Sequence, residues 1–580
     1  MKRIITLVLV LTFVLSLSLV SLANEVELLD PYVSDMPQGQ WGGTLITTMV
    51  SDPNTFNPVL SGDSASDEIF EARIFEALAM VNPISGKYEP ALARKWETSE
   101  DGLTWTFYLR RGIQWSDGEE FTADDVIFTY DVTMDEEVNS PARDGLFIKG
   151  EPIEYRKIDK YTVEFTTPEP FAPFLSTMQY IIPEHKLADA YENGQFNETW
   201  GVDTSVEEIV GTGPMILAQY RPAQRVVYMR NSKYWKKAPN GQSLPYITRW
   251  VNEIVPNTDS ALLNFENGTT HMTGLLPQDY ERIKANEGAG NYTVHEAGTS
   301  FTSTLITFNM NQRNPDFKEH PWKNKWFRNI HFRRALNHAT DRETIADQIY
   351  AGKAVPQWSP VNAANKFWIN EDVKKYPFDL DTARAELKAG GFTWDEDDNL
   401  IGPEGNPVKI NLLTTETSDP WVDMMNIISS DYEKLGIDVN TQPVAFSNLI
   451  ERLTNSYEWD MIIIGWGGGG TELYGGYTMW LSDAPYHMWN PELEEPEFEW
   501  EARIDEIWDL AATTLDTEER KEYYDEWQMI YSEELPLLYS VNVLTFTAVT
   551  NELQNVRASS LGGDLYNGSV TWDISNLYFE

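Results

Sequence analysis

The stretch of residues 101–131, DGLTWTFYLRRGIQWSDGEEFTADDVIFTYD, constrains the fold of this chain more than any other. Residues 103–109 are aromatic, β-branched or leucine throughout, which is typical of a β-strand, and the Asp-Gly pair before them predicts a turn. A second Asp-Gly pair predicts another turn, and Thr122 with Asp125 forms a capping box at the start of a helix. The stretch therefore predicts strand, turn and helix in succession.

The same alternation of patterns continues along the chain. Apolar residues at helical spacing predict a helix over residues 69–80. Strands are predicted at residues 41–49, 104–109, 161–166, 215–219, 225–230, 304–310, 410–414, 437–442, 459–465 and 536–539. Further helices are predicted from residue 124 and over residues 332–350, 421–435, 500–513 and 518–533. This mixture indicates α/β or α+β lobes rather than a helical bundle.

The amino terminus has the pattern of a secretory signal peptide. Lys2 and Arg3 precede an apolar run over residues 4–20, and Ser21 and Ala23 are the small residues that a signal peptidase reads. We expect cleavage after Ala23, so that residues 1–23 are removed. The alternative is a retained membrane anchor, since the run nearly reaches the ~18 apolar residues of a spanning helix.

Cysteine usage and charge narrow the setting further. The chain has no cysteine, so it can form no disulfide and has no cysteine to lipidate after the signal; we expect an exported protein that is not a lipoprotein. It carries 44 basic and 90 acidic side chains, a net charge of −46, which argues against nucleic acid as a partner. The acidic residues are spread along the chain, which indicates an acidic solvated surface and suggests a high-salt habitat.

The order of several short motifs resembles a known family. The opening stretch and seven later motifs are similar to successive signatures of the large solute-binding proteins of ABC importers, extracellular solute-binding protein family 5. Members bind oligopeptides, dipeptides and, in some cases, nickel or oligosaccharides. The later motifs are GTGP at Gly211, NSKYW at Asn231, FNM at Phe308, FRRAL at Phe332, DRETI at Asp341, WDMIIIGW at Trp459 and LPLLY at Leu535.

The resemblance implies an α/β fold of two lobes joined by a hinge, the large type II class of periplasmic-binding-protein fold. The first lobe is expected to hold residues 40–75, 211–300 and 536–580. An inserted subdomain is expected over residues 76–210, and the second lobe over residues 301–535. The lobes would close on a ligand about the hinge, a motion for which periplasmic binding proteins are a known example.

The same resemblance implies the partners. The closed protein would deliver a small solute to an ABC permease and its ATPase subunits. We expect a monomer with no cofactor, no metal and no nucleic acid. The leading prediction for the solute is an oligopeptide, and an oligosaccharide is the alternative.

Carried onto this chain, the positions that hold a ligand by strand addition in peptide-binding relatives fall in two segments. These are Ser61, Gly62, Asp63 and Ser64 in the first lobe and Trp466, Gly467 and Gly468 in the second. Glycine allows a ligand backbone to approach closely. The alternative interpretation of the glycine run at 467–470 is a flexible loop after a buried strand.

The chain departs from the peptide-binding pattern after Trp466. Relatives often place an aspartate there to pair with the amino terminus of the peptide, whereas the nearest acid in this chain is Glu472. Either Glu472 takes that role or the ligand lacks a free amine. Flat aromatic faces at Tyr474, Trp480 and Trp358 suit sugar rings as well as peptide side chains, which keeps the oligosaccharide alternative open.

Catalysis is the competing class of function, and we predict that the chain is not an enzyme. A secreted glycoside hydrolase would need two carboxylates across a sugar bond. A chain with 90 acidic residues contains many such pairs by chance, so their presence is not evidence for this activity. The sequence has no GxSxG or HExxH motif and no thiol nucleophile. Residues 395–399 resemble a calcium loop but have Leu400 where glycine is required, so we predict a hairpin over residues 394–408.

Overall fold

A computed structural model describes residues 32–70, 73–467, 471–561 and 570–580. The predicted signal peptide, residues 1–23, and the predicted site residue Gly468 lie outside these ranges. The predicted sequence of elements in residues 101–131 is confirmed. The strand spans Thr104–Leu109, and the helix Ala123–Met134 begins with a complete capping box.

The first sheet combines parallel and antiparallel pairing. Its first strand runs parallel to its neighbour, and the other two pairs are antiparallel. The strand order is Thr44–Met49, Arg249–Ile254, Arg225–Arg230 and Met215–Arg221. We call the region built on this sheet the first lobe.

The second sheet is mixed in the same way and has a buried strand at its centre. Met461–Gly467 pairs in parallel with one neighbour and antiparallel with the other, and Ile462 and Ile463 at its centre are fully buried. The strand order is Asp438–Val444, Lys409–Thr415, Met461–Gly467, Thr302–Phe308 and Leu537–Tyr539. We call the region built on this sheet the second lobe.

A third sheet joins the two lobes. Its strands are Met272–Leu275, Val541–Thr550, Tyr292–Thr299 and Ala354–Pro356. Two chain segments pass side by side from this sheet into the second one, at residues 299–302 and 539–541. Backbone hydrogen bonds link them at the crossing: Ser300 N donates to Val543 O at 2.7 Å, and Ser540 N donates to Thr304 O at 2.9 Å. This pair of connections is the candidate hinge.

A separate antiparallel sheet forms the core of a further region, which we call the insert. Its strand order is Ala93–Thr98, Thr104–Leu109, Thr162–Thr166 and Glu154–Asp159. Short strand pairs complete the described strands: Ala79–Val81 with Tyr88–Pro90, Phe147–Ile148 with Glu151–Pro152, Thr393–Trp394 with Leu400–Ile401, and Leu553–Gln554 with Tyr578–Phe579. The third of these pairs is the hairpin predicted from residue 394.

Helices cover the sheets in both halves of the chain. In the first half they are Ser64–Phe70, Ala123–Met134, Glu184–Glu192, Thr258–Glu266, Tyr280–Ala285 and Glu287–Gly290. In the second half they are Asp316–Glu319, Pro321–Arg328, Ile330–His338, Arg342–Tyr350, Leu380–Ala389, Asp419–Glu433, Phe446–Glu451, Tyr477–Trp480, Glu499–Thr513 and Thr517–Glu534. The fold is therefore α/β with two lobes. The residue boundaries predicted for the lobes stay predictions.

The helix predicted over residues 69–80 is wrong. The helix in this region is Ser64–Phe70, and the chain beyond residue 73 is not helical. The carbonyl of Ile74 accepts a hydrogen bond from Gly213 N at 2.8 Å. It therefore bonds to a distant segment of the chain instead of to the next turn of a helix. Ile74 and Phe75 are buried all the same, because their apolar spacing fits the core in a non-helical conformation.

Candidate functional site

A cavity of about 570 Å³ lies beside the first helix and carries both polar and apolar walls. Its polar end is formed by Ser64, Asp67, Glu68 and Arg73. The rest of its lining comes from the insert and the carboxyl-terminal segment and is mostly apolar: Ala77, Ala79, Met80, Val81, Pro83, Tyr88, Leu175, Ser176, Met178, Tyr180, Leu561, Thr571 and Trp572. The cavity thus offers both polar and apolar side chains to a ligand.

The four predicted first-lobe residues lie where the chain enters the first helix. Asp63 accepts hydrogen bonds from Ser66 N at 2.9 Å and Ser66 Oγ at 2.7 Å. Partial burial acts to raise the pKa of Asp63, but these hydrogen bonds hold it below its ordinary value. Ser61 Oγ donates to Asp67 Oδ1 at 2.5 Å. Gly62 and Ser64 are exposed, so this segment offers a surface beside the cavity.

The charges at the polar end of the cavity are partly compensated. The guanidinium of Arg73 lies 4.3 Å from the ring centre of Trp250, and its Nη1 is 3.8 Å from Glu68 Oε1. Asn252 Nδ2 donates to the same Glu68 oxygen at 3.0 Å. Two carboxylates and one guanidinium leave this end with one net negative charge, which favours a ligand group that is neutral or cationic.

The predicted second-lobe residues lie at the end of the buried strand. Trp466 and Gly467 pair with Ser303 and Thr302. Gly467 is exposed, and a Cβ atom there would meet no atom of the described residues within 4 Å. Trp466 is half-buried, and its ring contacts that of Tyr486 edge-on at 5.7 Å. An open glycine beside an accessible indole leaves room for a ligand backbone to approach.

Glu472 is tied to its own lobe by an ion pair. Its Oε1 is 2.7 Å from Arg520 Nη2 and accepts a hydrogen bond from Tyr474 N at 3.1 Å. Trp368 Nε1 donates to the carbonyl of the preceding residue, Thr471, at 2.7 Å. Burial alone would lower the pKa of Arg520, but the charge of Glu472 raises it above its ordinary value. These contacts fix the segment that follows the glycine run.

That segment reaches the cavity side of the molecule. A Cβ atom at Gly86 would lie 3.1 Å from Thr471 Cγ2. Burial, together with the charge of Glu472, raises the pKa of Tyr88, which lines the cavity. The ring of Tyr474 meets Phe171 of the insert at 5.1 Å. Residues 471–474 therefore bridge the second lobe to the wall of the cavity.

The remaining predicted aromatic residues differ in accessibility. Trp480 is 3% exposed and packs against Trp489 and Trp527 in the core of the second lobe, so it offers no face to a ligand. Trp358 is half-buried, with the guanidinium of Arg342 at 4.6 Å from its ring. The structure thus places Trp358 in reach of solvent and removes Trp480 from the candidate site.

Three residues near the candidate site are not among those predicted from the sequence. Tyr486 is 44% exposed beside the indole of Trp466, Tyr88 lines the cavity and Arg520 pairs with Glu472. The abundance of aromatic residues was a general signal for the two tyrosines, and Arg520 had no signal in the sequence, because its role depends on a contact with a distant segment.

The described residues give no independent sign of a metal centre or a membrane span. Among them, no group of three or more histidine, aspartate or glutamate side chains is arranged to hold a metal ion. Across the same residues, the helices are too short or too polar to cross a bilayer.

The family model for bacterial extracellular solute-binding proteins, family 5 Middle, matches residues 87–487, which is more than half of the 580 residues. The chain belongs to this family. The family predicted from the motif order is thereby confirmed. This solute-binding protein has the substrate-binding role of its family.

Curated relatives of this solute-binding protein include transporter components. It is 28% identical over 452 residues to the probable ABC transporter-binding protein of Deinococcus radiodurans, with 74% of each chain covered. It is 25% identical over 538 residues to di/tripeptide-binding protein 2 of Pseudomonas aeruginosa, which covers 89% of this chain and 93% of that relative. Both matches extend well beyond a single lobe.

Solved structures share the fold of this solute-binding protein. The oligopeptide-binding protein of Bacillus subtilis in complex with a nonapeptide has a TM-score of 0.68 and 20% identity, with 94% of this chain and 100% of that chain covered. A periplasmic binding protein of Agrobacterium fabrum in complex with stachyose has a TM-score of 0.70 and 22% identity, with 94% and 86% covered. The predicted two-lobed periplasmic-binding-protein fold is confirmed.

Proposed function

We propose that this solute-binding protein binds an oligopeptide-like solute in the cleft between its lobes and delivers it to the permease of an ABC importer. The observation that carries the proposal is the cavity of about 570 Å³, whose lining combines charged and polar residues with apolar ones. An extended peptide has matching chemistry, since polar backbone groups alternate with side chains along it. The name of the Pseudomonas aeruginosa relative, di/tripeptide-binding protein 2, supports a peptide solute.

The solute would be held as an added strand between the two lobes. Gly467 ends the strand Met461–Gly467 in an exposed position, and a Cβ atom there would meet none of the described residues within 4 Å, so a ligand backbone would have room to approach. The proposed contact residues are Ser61, Gly62, Asp63 and Ser64 in the first lobe and Trp466, Gly467, Gly468, Tyr474 and Trp358 in the second. Glu472 would position the loop through Arg520 instead of contacting the ligand.

The hinge would lie where the paired segments cross between the second and third sheets. A ligand can favour the closed arrangement only through contacts that it gains there, so contacts from both lobes are required. The closed protein would then be recognised by the permease and its ATPase subunits. We further propose that the protein is exported with cleavage after Ala23, acts as a free periplasmic monomer and catalyses no reaction.

An oligosaccharide is the second candidate solute. Exposed aromatic rings favour it: Tyr477 is 39% exposed, Tyr486 is 44% exposed, and Trp466 contacts Tyr486. Flat aromatic faces stack on sugar rings as well as on apolar side chains. The stachyose complex within the same fold gives this candidate a precedent.

Calorimetric titration of the mature protein against a mixed peptide pool and a set of oligosaccharides tests the proposal. We expect heat from the peptide pool. Heat from sugars alone would replace the peptide with the second candidate, and release of smaller products by the protein alone would overturn the binding role.

A pair of glycine variants tests the location of the site. Gly467→Val should abolish peptide binding, because its side chain would occupy the space above the strand end. Gly145→Val is the matched control, since a Cβ atom at Gly145 would likewise meet no atom within 4 Å, but Gly145 lies in the insert. Equal affinities for the two variants would move the site elsewhere.

A further inference from the structure

The insert and the second lobe touch directly through a charged contact. Lys149 Nζ lies 2.7 Å from Asp509 Oδ1 in the second lobe and 3.1 Å from Glu169 Oε1 in the insert. Hydrogen bonding to Asp509 raises the pKa of Lys149 above its ordinary value. Asp509 belongs to the helix Glu499–Thr513. The lysine therefore links a surface of the insert to a helix of the other lobe.

The backbone around Lys149 is shaped to present this side chain. Lys149 and Gly150 form the two-residue turn between Phe147–Ile148 and Glu151–Pro152, and their φ angles are 49° and 82°. A turn with positive φ at both positions favours Asn-Gly, and lysine adopts this conformation reluctantly. The chain thus places a lysine where asparagine would suit the turn better.

Apolar contacts accompany the charged one. The ring of Phe171 in the insert meets Tyr474 at 5.1 Å. Ala512, three residues beyond Asp509, is 2% exposed and packs within the apolar core of the insert. A Cβ atom at Gly102 would lie 2.9 Å from Leu515 Cδ1. The contact is therefore a small interface with an apolar centre and an ion pair.

We propose that this interface, here called the clasp and defined by Lys149, Phe171, Tyr474, Asp509 and Ala512, favours closure of the lobes and so raises ligand affinity through an ion pair that includes none of the proposed contact residues. The inference rests on the proposed function, since it needs a ligand that binds the closed arrangement. Any contact present only in the closed state adds to the apparent affinity, because it lowers the cost of reaching the binding-competent state. Lys149 and Asp509 are then positioning residues for solute binding.

The size of the effect follows from exposure. The side chains of Lys149 and Asp509 are 49% and 58% exposed. Exposed ion pairs make modest contributions, so loss of this pair should weaken peptide binding about two- to fivefold. The loss should also remove part of the salt dependence of binding, because solvent-exposed pairs are screened by salt.

The decisive variant is Lys149→Asn, measured with the mixed peptide pool. Asparagine removes the ion pair but suits the turn, so we expect an unchanged or higher midpoint of thermal unfolding together with a two- to fivefold weaker affinity. If Lys149 had only a structural role, its replacement would change thermal stability and would not weaken affinity on its own. Asp509→Asn should weaken binding to a similar extent, and the double variant should bind no more weakly than either single variant.

Glu506→Gln is the matched control. Glu506 lies on the same helix and pairs with Arg503 of that helix at 2.6 Å. Its replacement should leave affinity unchanged. Additive effects of Lys149→Asn and Asp509→Asn, unchanged affinity in both, or affinity loss that accompanies loss of thermal stability would each overturn the clasp.

A distance measurement separates the clasp from the proposed function. The chain has no cysteine, so Ile158→Cys in the insert and Phe446→Cys in the second lobe can be labelled as a fluorescent pair; both positions are exposed. Without solute, Lys149→Asn should shift the labels towards the open distance. If the wild type binds neither peptides nor sugars, the proposed function fails. The clasp is then judged by the label distance alone: a shift in Lys149→Asn supports it, and no shift overturns it.

Discussion

Replacing Glu472 with glutamine distinguishes two roles for this side chain, fixing a loop or binding the amine of a peptide. The Glu472 and Arg520 side chains are 13% and 5% exposed, and the atoms that join them are 2.7 Å apart. Breaking one partner of a buried pair leaves an uncompensated charge and costs about 3–5 kcal/mol, whereas a surface pair contributes about 0–1 kcal/mol. Glutamine keeps one hydrogen-bond acceptor, so we expect a loss of roughly 3 kcal/mol in the free energy of unfolding.

Urea denaturation followed by tryptophan fluorescence measures this loss, with the slope of the transition compared between variants. Glu526→Gln is the matched control, because Glu526 pairs with Arg503 at 2.7 Å but the two side chains are 42% and 34% exposed. It should cost at most about 1 kcal/mol. The double variant Glu472→Gln with Arg520→Gln should cost less than Glu472→Gln alone, since it leaves no unpaired charge.

Peptide affinity supplies the second half of the test. If Glu472 only fixes the loop, Glu472→Gln should weaken free-amine and amino-terminally acetylated peptides by the same factor. Pairing with the amine predicts instead that the variant loses discrimination between the two peptides. Such a loss, with the free energy of unfolding unchanged, would refute the assignment of Glu472 to Arg520.

Three further predictions concern local stability. Gly465→Val should lower the free energy of unfolding by about 1–3 kcal/mol in urea denaturation, because a Cβ atom would lie 2.6 Å from Trp421 Cζ2; wild-type stability would contradict this packing. Thr122→Ala should cost about 1 kcal/mol by the same measurement, since Asp124 N donates to Thr122 Oγ1 at 3.2 Å, and no loss would exclude a working cap. Burial raises the pKa of Asp125 to about 6, above the ~4 of an unfolded aspartate. Its ionised form is thus disfavoured in the fold, and the stability of the wild type relative to Asp125→Asn should rise as the pH falls from 7 to 4; a fall would reverse the sign of the linkage.

The elements that the sequence predicts correctly are those determined by local chemistry. The capping box of the helix Ala123–Met134 needs only Thr122 and the residue three positions later, and both of its hydrogen bonds are present. The buried strand Met461–Gly467 is a continuous apolar run, which leaves little choice of structure. Neither element requires knowledge of a distant partner.

Predictions fail where distant segments decide the outcome. The apolar spacing of residues 69–80 matches a helix, but the carbonyl of Ile74 bonds to Gly213 instead. The partner of Glu472, Arg520, is 48 residues away in sequence. The residues around Glu472 therefore do not reveal this ion pair. Trp480 has an aromatic side chain of the kind that often binds ligands, but it is buried in the core. Only the packing of the structure distinguishes these two roles.

Basic residues are scarce in this chain, so the position of each one strongly affects the local electrostatic balance. With 44 basic against 90 acidic side chains, a cation here often bridges two carboxylates: Lys149 contacts Glu169 and Asp509, and Lys323 contacts Asp316 and Asp460. In the proposed closed arrangement an acidic insert lies against an acidic lobe, and like charges at short range would oppose closure. A lysine at the junction offsets that repulsion, so its loss both removes an attraction and leaves Glu169 facing Asp509. If the lobes close as proposed, ligand affinity should therefore depend on interlobe charge as well as on the residues that line the cleft.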